Sequence, residues 1–258
     1  MQKVRAKKSL GQHFLTDLSV AQRIADTLAP FKGMPVLEVG PGMGVLTQFL
    51  LEAGHDLTVV ELDHESVEYL RLRFPDLTDR IIEQDFLRMD LRALYGERKF
   101  CVIGNYPYNI SSQIFFKVLD YRDQVAAVAG MLQREVAQRI VSPPGSKVYG
   151  ILSVMLQAWY DAGYLFTVDE NVFDPPPKVK SGVILLTRNE RQALPCDEKR
   201  WRQVIKTAFG QRRKTLRNSL RPLLGERAEQ FAQLPVAALR PEQLSVEQFI
   251  ELTQLLNP

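Results

Sequence analysis

The sequence predicts an α/β protein in which a Rossmann-like, mostly parallel sheet ends in an antiparallel hairpin and is followed by a small all-helical domain. Three observations carry this. Short β-like runs alternate with helical patterns through the first two thirds of the chain, as βαβ units do. One run leads directly into a glycine-rich turn that opens a helix. Beyond Arg188 the β-branched runs stop and amphipathic helical spacing replaces them.

Pro35–Val39 reads as the first strand, Asp56–Val60 as the second and Arg80–Glu83 as the third. Lys99–Gly104, nearly all apolar, belongs at the sheet centre, and Val125–Leu132 reads as its neighbour. Arg134–Val141 is helical, and Tyr149–Tyr160 carries a long apolar helical pattern. Ala162–Val168 and Gly182–Leu186 flank a proline-rich turn with no helix between them, which suggests the hairpin at the end of the sheet. From Asp197 onward several amphipathic helices follow, broken near Gly210, Pro222–Gly225 and Pro241. The division predicted is therefore a catalytic domain over 1–190, including a basic arm at 1–10, and a helical domain over 191–258.

A chain of 258 residues that is 45% hydrophobic buries one full core and a second, smaller one, so disordered and fibrous readings fall away. The two cysteines lie far apart, and Cys101 sits in the apolar run Phe100–Ile103, which argues against a disulfide or a cysteine metal site and suits a reducing cytoplasm. No signal-peptide stretch or membrane-spanning run is present, so a cytoplasmic protein without a membrane partner is expected. His55 and His64 lie in polar contexts without ligand-like neighbours and read as surface residues, and no metal is expected. The net charge of +3 is unevenly spread: Asp197–Arg221 holds nine basic residues against two acidic ones, and Lys3, Arg5, Lys7 and Lys8 crowd the N-terminus. Both ends suit a polyanion.

The turn after the first strand reads Glu38-Val39-Gly40-Pro41-Gly42-Met43-Gly44. Its G-x-G-x-G spacing departs from the dinucleotide pattern, and Glu38 precedes it where a pyrophosphate would be repelled. A cationic, phosphate-free ligand fits better, which S-adenosylmethionine is. Glu61 ends the second strand, placed to accept the ribose hydroxyls. Asp85 follows the third, placed for the adenine amine, with Phe86 available to pack on the ring. A nicotinamide-dependent oxidoreductase is disfavoured by the same spacing.

Asn105-Tyr106-Pro107-Tyr108 follows the central strand, beside this loop. An exocyclic adenine amine is a weak nucleophile whose protons need acceptors. The Asn105 side-chain oxygen and a carbonyl stiffened by Pro107 can supply two, and Tyr108 can stack on the base. Methyl transfer from a sulfonium to an adenine amine is the predicted reaction, with positioning as the main catalytic contribution and the proton lost to water.

At these residues the chain resembles the KsgA (RsmA) family of ribosomal RNA adenine dimethyltransferases, nearly end to end. Gly11-Gln12-His13-Phe14-Leu15 looks like the family's cofactor-covering segment, which implies contacts from His13 and Leu15. Gln133–Ile140 looks like the helix after the fifth strand, and Phe173-Asp174-Pro175-Pro176-Pro177-Lys178-Val179-Lys180-Ser181 is similar to a loop whose Phe sandwiches the target base opposite the tyrosine. Phe209–Asn218 resembles the basic region assigned to rRNA contact, implying roles for Arg212, Arg213, Lys214 and Arg217, with Lys7 and Lys8 from the arm. The resemblance implies N6-dimethylation of two adjacent adenosines in a hairpin loop near the 3′ end of 16S rRNA, late in small-subunit assembly, by a monomer. An Erm-type enzyme acting on large-subunit rRNA and an assembly factor that acts mainly by binding stay open as alternatives. Two residues depart from the family's pattern: His13 stands where Asn is common, and Tyr106 replaces Leu or Ile, adding bulk within the catalytic loop.

Overall fold

The computed structural model describes residues 4–256, so Lys3 of the basic arm lies outside the described residues. The chain divides into two compact units. The first runs to Ala137 and resumes over Asp161–Arg188, and the second comprises Gln138–Tyr160 and the chain from Asn189 onward.

Seven strands form the main sheet: β1 (Pro35–Val39), β2 (Asp56–Glu61), β3 (Ile81–Glu83), β4 (Phe100–Asn105), β5 (Val125–Gln133), β6 (Tyr160–Val168) and β7 (Ser181–Arg188). Their order is β3-β2-β1-β4-β5-β7-β6. The pairs among β1 to β5 are parallel, and β7 runs antiparallel to β5. The helices α1 (Leu18–Asp26), α2 (Val45–Glu52) and α3 (His64–Arg73) supply Ile24, Leu50 and Leu70 to one core cluster. Alternate strand residues meet them there: Leu57 and Val59, Cys101 and Ile103, Ala127, Ala129 and Met131. The two-residue period puts these side chains on one face of the sheet. Leu37, Val39, Phe100, Val102 and Val128, which alternate with them, are buried as well. Burial on both faces is what near-continuous apolar strands require.

Local signals set the helix starts. Asp17 caps α1 by accepting the N–H groups of Ser19 and Val20 at 2.9 and 3.3 Å. At the head of α2, Gly44 has φ +75°, and a Cβ there would stand 2.3 Å from the Phe74 ring, so both backbone and packing demand glycine.

Further helices of the first unit are α4 (Leu91–Tyr95) and α5 (Ser111–Asp120). The second unit contains α6 (Ile151–Gln157), α7 (Glu198–Gly210) and α8 (Val246–Leu256), with short turns of helix between the last two. Asp197 caps α7 through the Arg200 N–H at 2.7 Å. Trp201, Val204, Ile205, Phe249 and Ile250 are buried in this unit. The α6 helix packs on both α7 and α8, which is why Gln138–Tyr160 groups with the C-terminal helices and not with the domain in which the sequence reading places it. That helix is also shorter than its apolar pattern suggests, because Tyr160 already begins β6.

His55 corrects the surface reading. It is 8% exposed, just before β2, and burial holds its imidazole below the usual histidine range. His64 is exposed and its Nδ1 lies 3.0 Å from a Glu83 carboxylate oxygen. Among the described residues no helix is long and apolar enough to cross a membrane, and no group of three or more His, Cys, Asp or Glu could hold a metal ion.

Candidate active site at the strand ends

The carboxyl ends of β1, β2, β3 and β4 open onto one cavity, the usual place for a ligand in a parallel α/β sheet. Its walls come from the Leu10–Leu15 segment, the Gly40–Met43 loop, Glu61, Asp85–Leu87 and Asn105–Ile110. Three carboxyl side chains, Glu38, Glu61 and Asp85, line it, and among the described residues no lysine or arginine does.

Gly40, Gly42 and Gly44 all take left-handed φ values, which bends the chain away from β1; Gly40 and Gly42 line the cavity, whereas Gly44, expected to contact the cofactor, is absent from the lining and faces Phe74 and Leu70 instead. Glu61 is 6% exposed. One of its oxygens accepts the Gly42 N–H at 3.1 Å, and the other accepts those of Leu62 and Asp63 at 2.8 and 2.9 Å. These bonds tie the end of β2 to the glycine loop. Burial raises the Glu61 carboxyl above the usual range, while the three N–H groups oppose the rise. Glu38 is 1% exposed and accepts a hydrogen bond from the Thr47 hydroxyl at 2.7 Å. Burial pushes its carboxyl up to about 8, and the nearby Glu61 adds to the effect. Asp85 spends one oxygen on the Leu87 N–H at 2.9 Å, and its other oxygen stands 3.6 Å from Arg88 Nε. Phe86 is 4% exposed beside it and lines the cavity.

Asn105, Pro107 and Tyr108 stand in the same cavity. The Asn105 amide nitrogen donates to the His13 carbonyl at 3.0 Å, which orients the side chain and leaves Oδ1 as an acceptor. The Pro107 carbonyl takes the Ile110 N–H at 3.3 Å and keeps a second lone pair. Pro107 Cδ lies 3.7 Å from where a Gly40 Cβ would be, so the tetrapeptide and the glycine loop are neighbours. Tyr108 is half-buried, its hydroxyl bonded to that of Ser181. Ser181 ends the proline-rich motif, but its role as the tyrosine's partner depends on the fold bringing that motif back to the tetrapeptide.

Tyr106, one departure from the family's pattern, is among the residues that line the cavity, but its bulk is turned into the core. The side chain is fully buried, its hydroxyl donates to the Ala129 carbonyl at 2.7 Å, and its ring meets Phe115 edge-on at 5.6 Å. Gly130 makes room, since a Cβ there would lie 2.9 Å from the Tyr106 ring. The extra bulk is therefore core packing between β4, β5 and α5.

His13 and Leu15 both line the cavity. The His13 Nδ1 donates to the Pro175 carbonyl at 2.8 Å, since a carbonyl oxygen only accepts. The same ring stands 5.4 Å from that of Tyr108. Phe173 is placed differently from the expectation that it faces Tyr108. Phe14–Leu15 pairs antiparallel with Phe173–Asp174, Leu15 opposite Phe173. Alternation then sends Phe173 inward, 4% exposed within the main core cluster, and Asp174 outward. Phe173 is absent from the cavity lining, and the ring that stands against Tyr108 is that of His13, at 5.4 Å.

Lys7 also needs correction. Its ammonium bonds the buried Asp63 carboxylate at 2.5 Å and lies 3.1 Å from Glu65, so its charge is committed within the protein. Burial alone would raise the Asp63 carboxyl, but hydrogen bonds from Lys7, Ser66 and Gln12 hold it below the usual range. Lys8 is exposed. In the second unit, Arg212 is half-buried with its guanidinium on the Lys147 carbonyl, whereas Arg213, Lys214 and Arg217 point to solvent from the turn after α7 and the short helix that follows.

A family model described as ribosomal RNA adenine dimethylase matches residues 3–257. A ribosomal RNA small subunit methyltransferase A from Parabacteroides distasonis is 69% identical over 98% of this chain and 94% of that protein. One from Porphyromonas gingivalis is 66% identical over the whole of both. Among solved structures, a dimethyladenosine transferase from Plasmodium falciparum superposes with TM-score 0.74 at 21% identity, covering 93% of this chain and 96% of that one. The 23S rRNA methyltransferase ErmE does so with TM-score 0.68 at 25% identity, covering 93% and 99%.

Proposed function

The chain belongs to the ribosomal RNA adenine dimethylase family, and from that premise we propose how its residues bring a small-subunit rRNA adenosine to a methyl donor. The enzyme is an S-adenosylmethionine-dependent rRNA adenine dimethyltransferase. The observation that carries the site assignment is a cavity with three carboxyls and, among the described residues, no lysine or arginine, bordered by Asn105, Pro107 and Tyr108. That lining fits a cationic, phosphate-free cofactor and, among the described residues, offers a nucleotide phosphate no cationic partner. Glu61 would hold the ribose, Asp85 and Phe86 the adenine, and the Gly40–Gly44 loop, His13 and Leu15 the remainder.

When bound, S-adenosylmethionine supplies a methyl group on an electrophilic sulfonium. The protein's part is to present the amine. Asn105 Oδ1 and the Pro107 carbonyl accept the N6 protons and draw the nitrogen lone pair out of conjugation, and Tyr108 supports the base by stacking. His13 borders the same space. The nitrogen's surplus proton leaves to water. Because the product amine is to be methylated again, the pocket must admit an N6-methyl group. Lys8, Arg213, Lys214 and Arg217 would hold the phosphate backbone. We further propose two adjacent adenosines in a hairpin loop near the 3′ end of 16S rRNA as the targets, and a cytoplasmic monomer as the acting form.

The large-subunit alternative rests on likeness to ErmE at 25% identity, against small-subunit relatives at 69% and 66%. Incubation with labelled S-adenosylmethionine and, separately, immature small subunits, mature small subunits and large subunits tests the choice. Label in adenosines of immature small subunits supports it. Label only in large-subunit rRNA, or on cytosine, overturns it.

A further inference from the structure

Behind the Asp85–Phe86 wall stands a side chain that the chemistry above does not use. Lys117 lies in the last turn of α5, the helix that begins three residues after Tyr108. It is half-buried, and its ammonium donates to the carbonyls of Leu87 and Met89, at 3.1 and 2.5 Å. The ammonium also stands 5.7 Å from the centre of the Phe86 ring and 5.3 Å from that of Tyr121. Such placement over an aromatic face is attractive for a cation.

The segment held this way is short. Phe86–Arg88 is a single turn of 3-10 helix after the three-residue strand β3, bonded internally through Asp85 Oδ1 to Leu87, Arg88 to the Asp85 carbonyl and Met89 to the Phe86 carbonyl. A turn this small has little rigidity of its own. The two carbonyls that Lys117 takes flank Arg88, and the aromatic face it covers belongs to the residue that walls the cavity. One cation therefore fixes the backbone and the ring of the same turn from outside. It does so from the helix that directly follows the catalytic tetrapeptide.

We infer that Lys117 is a positioning residue for the cofactor's adenine, bracing the Asp85–Met89 turn against α5 so that Asp85 and Phe86 meet the base in a fixed geometry. This rests on the reading that Asp85 and Phe86 form the adenine subsite. Removing the charge while keeping the chain length, Lys117→Met, frees the turn. Restoring a cationic donor, Lys117→Arg, braces it again in part.

The test measures dissociation constants for S-adenosylmethionine and for adenosine, which carries the base and ribose but no sulfonium, by calorimetry on the full chain. Lys117→Met is expected to weaken both ligands by a similar factor, roughly tenfold, about the worth of one charged hydrogen bond. KM for the cofactor should rise in step while kcat at saturating cofactor holds, and Lys117→Arg should recover most of the affinity. Asp85→Asn should weaken both ligands too, and Asp85→Asn/Lys117→Met should lose less than the product of the single effects, because both act on one turn. If Asp85→Asn weakens binding and Lys117→Met does not, the bracing role is wrong and the adenine subsite stands. If Asp85→Asn leaves both affinities unchanged, the subsite is wrong and the inference falls with it. Should Lys117→Met fold poorly, Lys117→Gln, which keeps a neutral donor, carries the same comparison with an intermediate loss expected and an unchanged affinity overturning it.

Discussion

Replacing Glu38 by glutamine isolates the electrostatics of the cavity in one atom. Glu38 is 1% exposed with Thr47 as its hydrogen-bond donor, and burial moves its carboxyl from 4.5 to about 8. At neutral pH the folded chain therefore keeps a proton that the unfolded chain has released. The stability linked to this group is fully present below pH 4.5 and is lost as pH rises through about 8. The interval from 4.5 to about 8, at 1.36 kcal/mol per pH unit, corresponds to at most about 5 kcal/mol. Glutamine cannot ionise, and its amide oxygen still accepts the Thr47 hydrogen. Urea unfolding of both proteins near pH 5 and above pH 8 is the assay. The Glu38→Gln protein should gain on the wild type by up to several kcal/mol at the higher pH and by little at the lower. Wild-type affinity for the cationic cofactor should rise across the same window, since an ionised Glu38 attracts it, and Glu38→Gln should flatten that rise. A stability difference that is the same at both pH values would refute the assignment of a buried neutral acid.

Other substitutions test the corrected placements. Phe173→Ala should destabilise the fold by about 3–5 kcal/mol, as truncation of a core aromatic does, measured by chemical denaturation; a change in RNA KM with unaltered stability would return Phe173 to the base pocket. Tyr106→Phe should cost about 1 kcal/mol through the bond to Ala129 and leave turnover unchanged, whereas a large loss of kcat would place the hydroxyl in the chemistry. Replacing Arg213, Lys214 and Arg217 together by glutamine should weaken RNA binding and lower the slope of log affinity against log salt by about 0.7 to 0.9 per lost phosphate contact. An unchanged slope would exclude them from the backbone contacts.

The parts of the fold legible in the sequence are those decided by neighbours along the chain. The apolar runs that become β1, β2, β4 and β5, the glycines after β1, and the carboxylates that end β2 and follow β3 all stand where local pattern puts them. Parallel strands bring their carboxyl ends together, so residues that look unrelated in sequence share one cavity. What could not be read depends on partners distant in sequence. Phe173 turns inward because its two-residue strand pairs with Phe14–Leu15, a segment distant in sequence. Lys7 is withdrawn from the basic arm by Asp63, and Tyr106 is drawn into the core by a carbonyl on β5 and the space over Gly130. Charge and bulk are visible in a sequence; which of two faces a side chain turns toward is not, when the segment has too few residues to show a period.

The central claim is that Asn105, though expected to touch the cofactor as well, chiefly presents an adenosine amine in a cavity whose cofactor subsite is built mostly from other residues. Asn105→Ala separates the two most directly, with cofactor affinity measured by calorimetry and N6,N6-dimethyladenosine from treated immature small subunits measured by mass spectrometry of nucleosides. Cofactor affinity should stay close to that of the wild type while the dimethylation rate falls by on the order of 100- to 1,000-fold, the scale on which one oriented catalytic group acts. Dimethyladenosine formed at the wild-type rate, or loss of cofactor binding large enough to account for the whole defect, would contradict it.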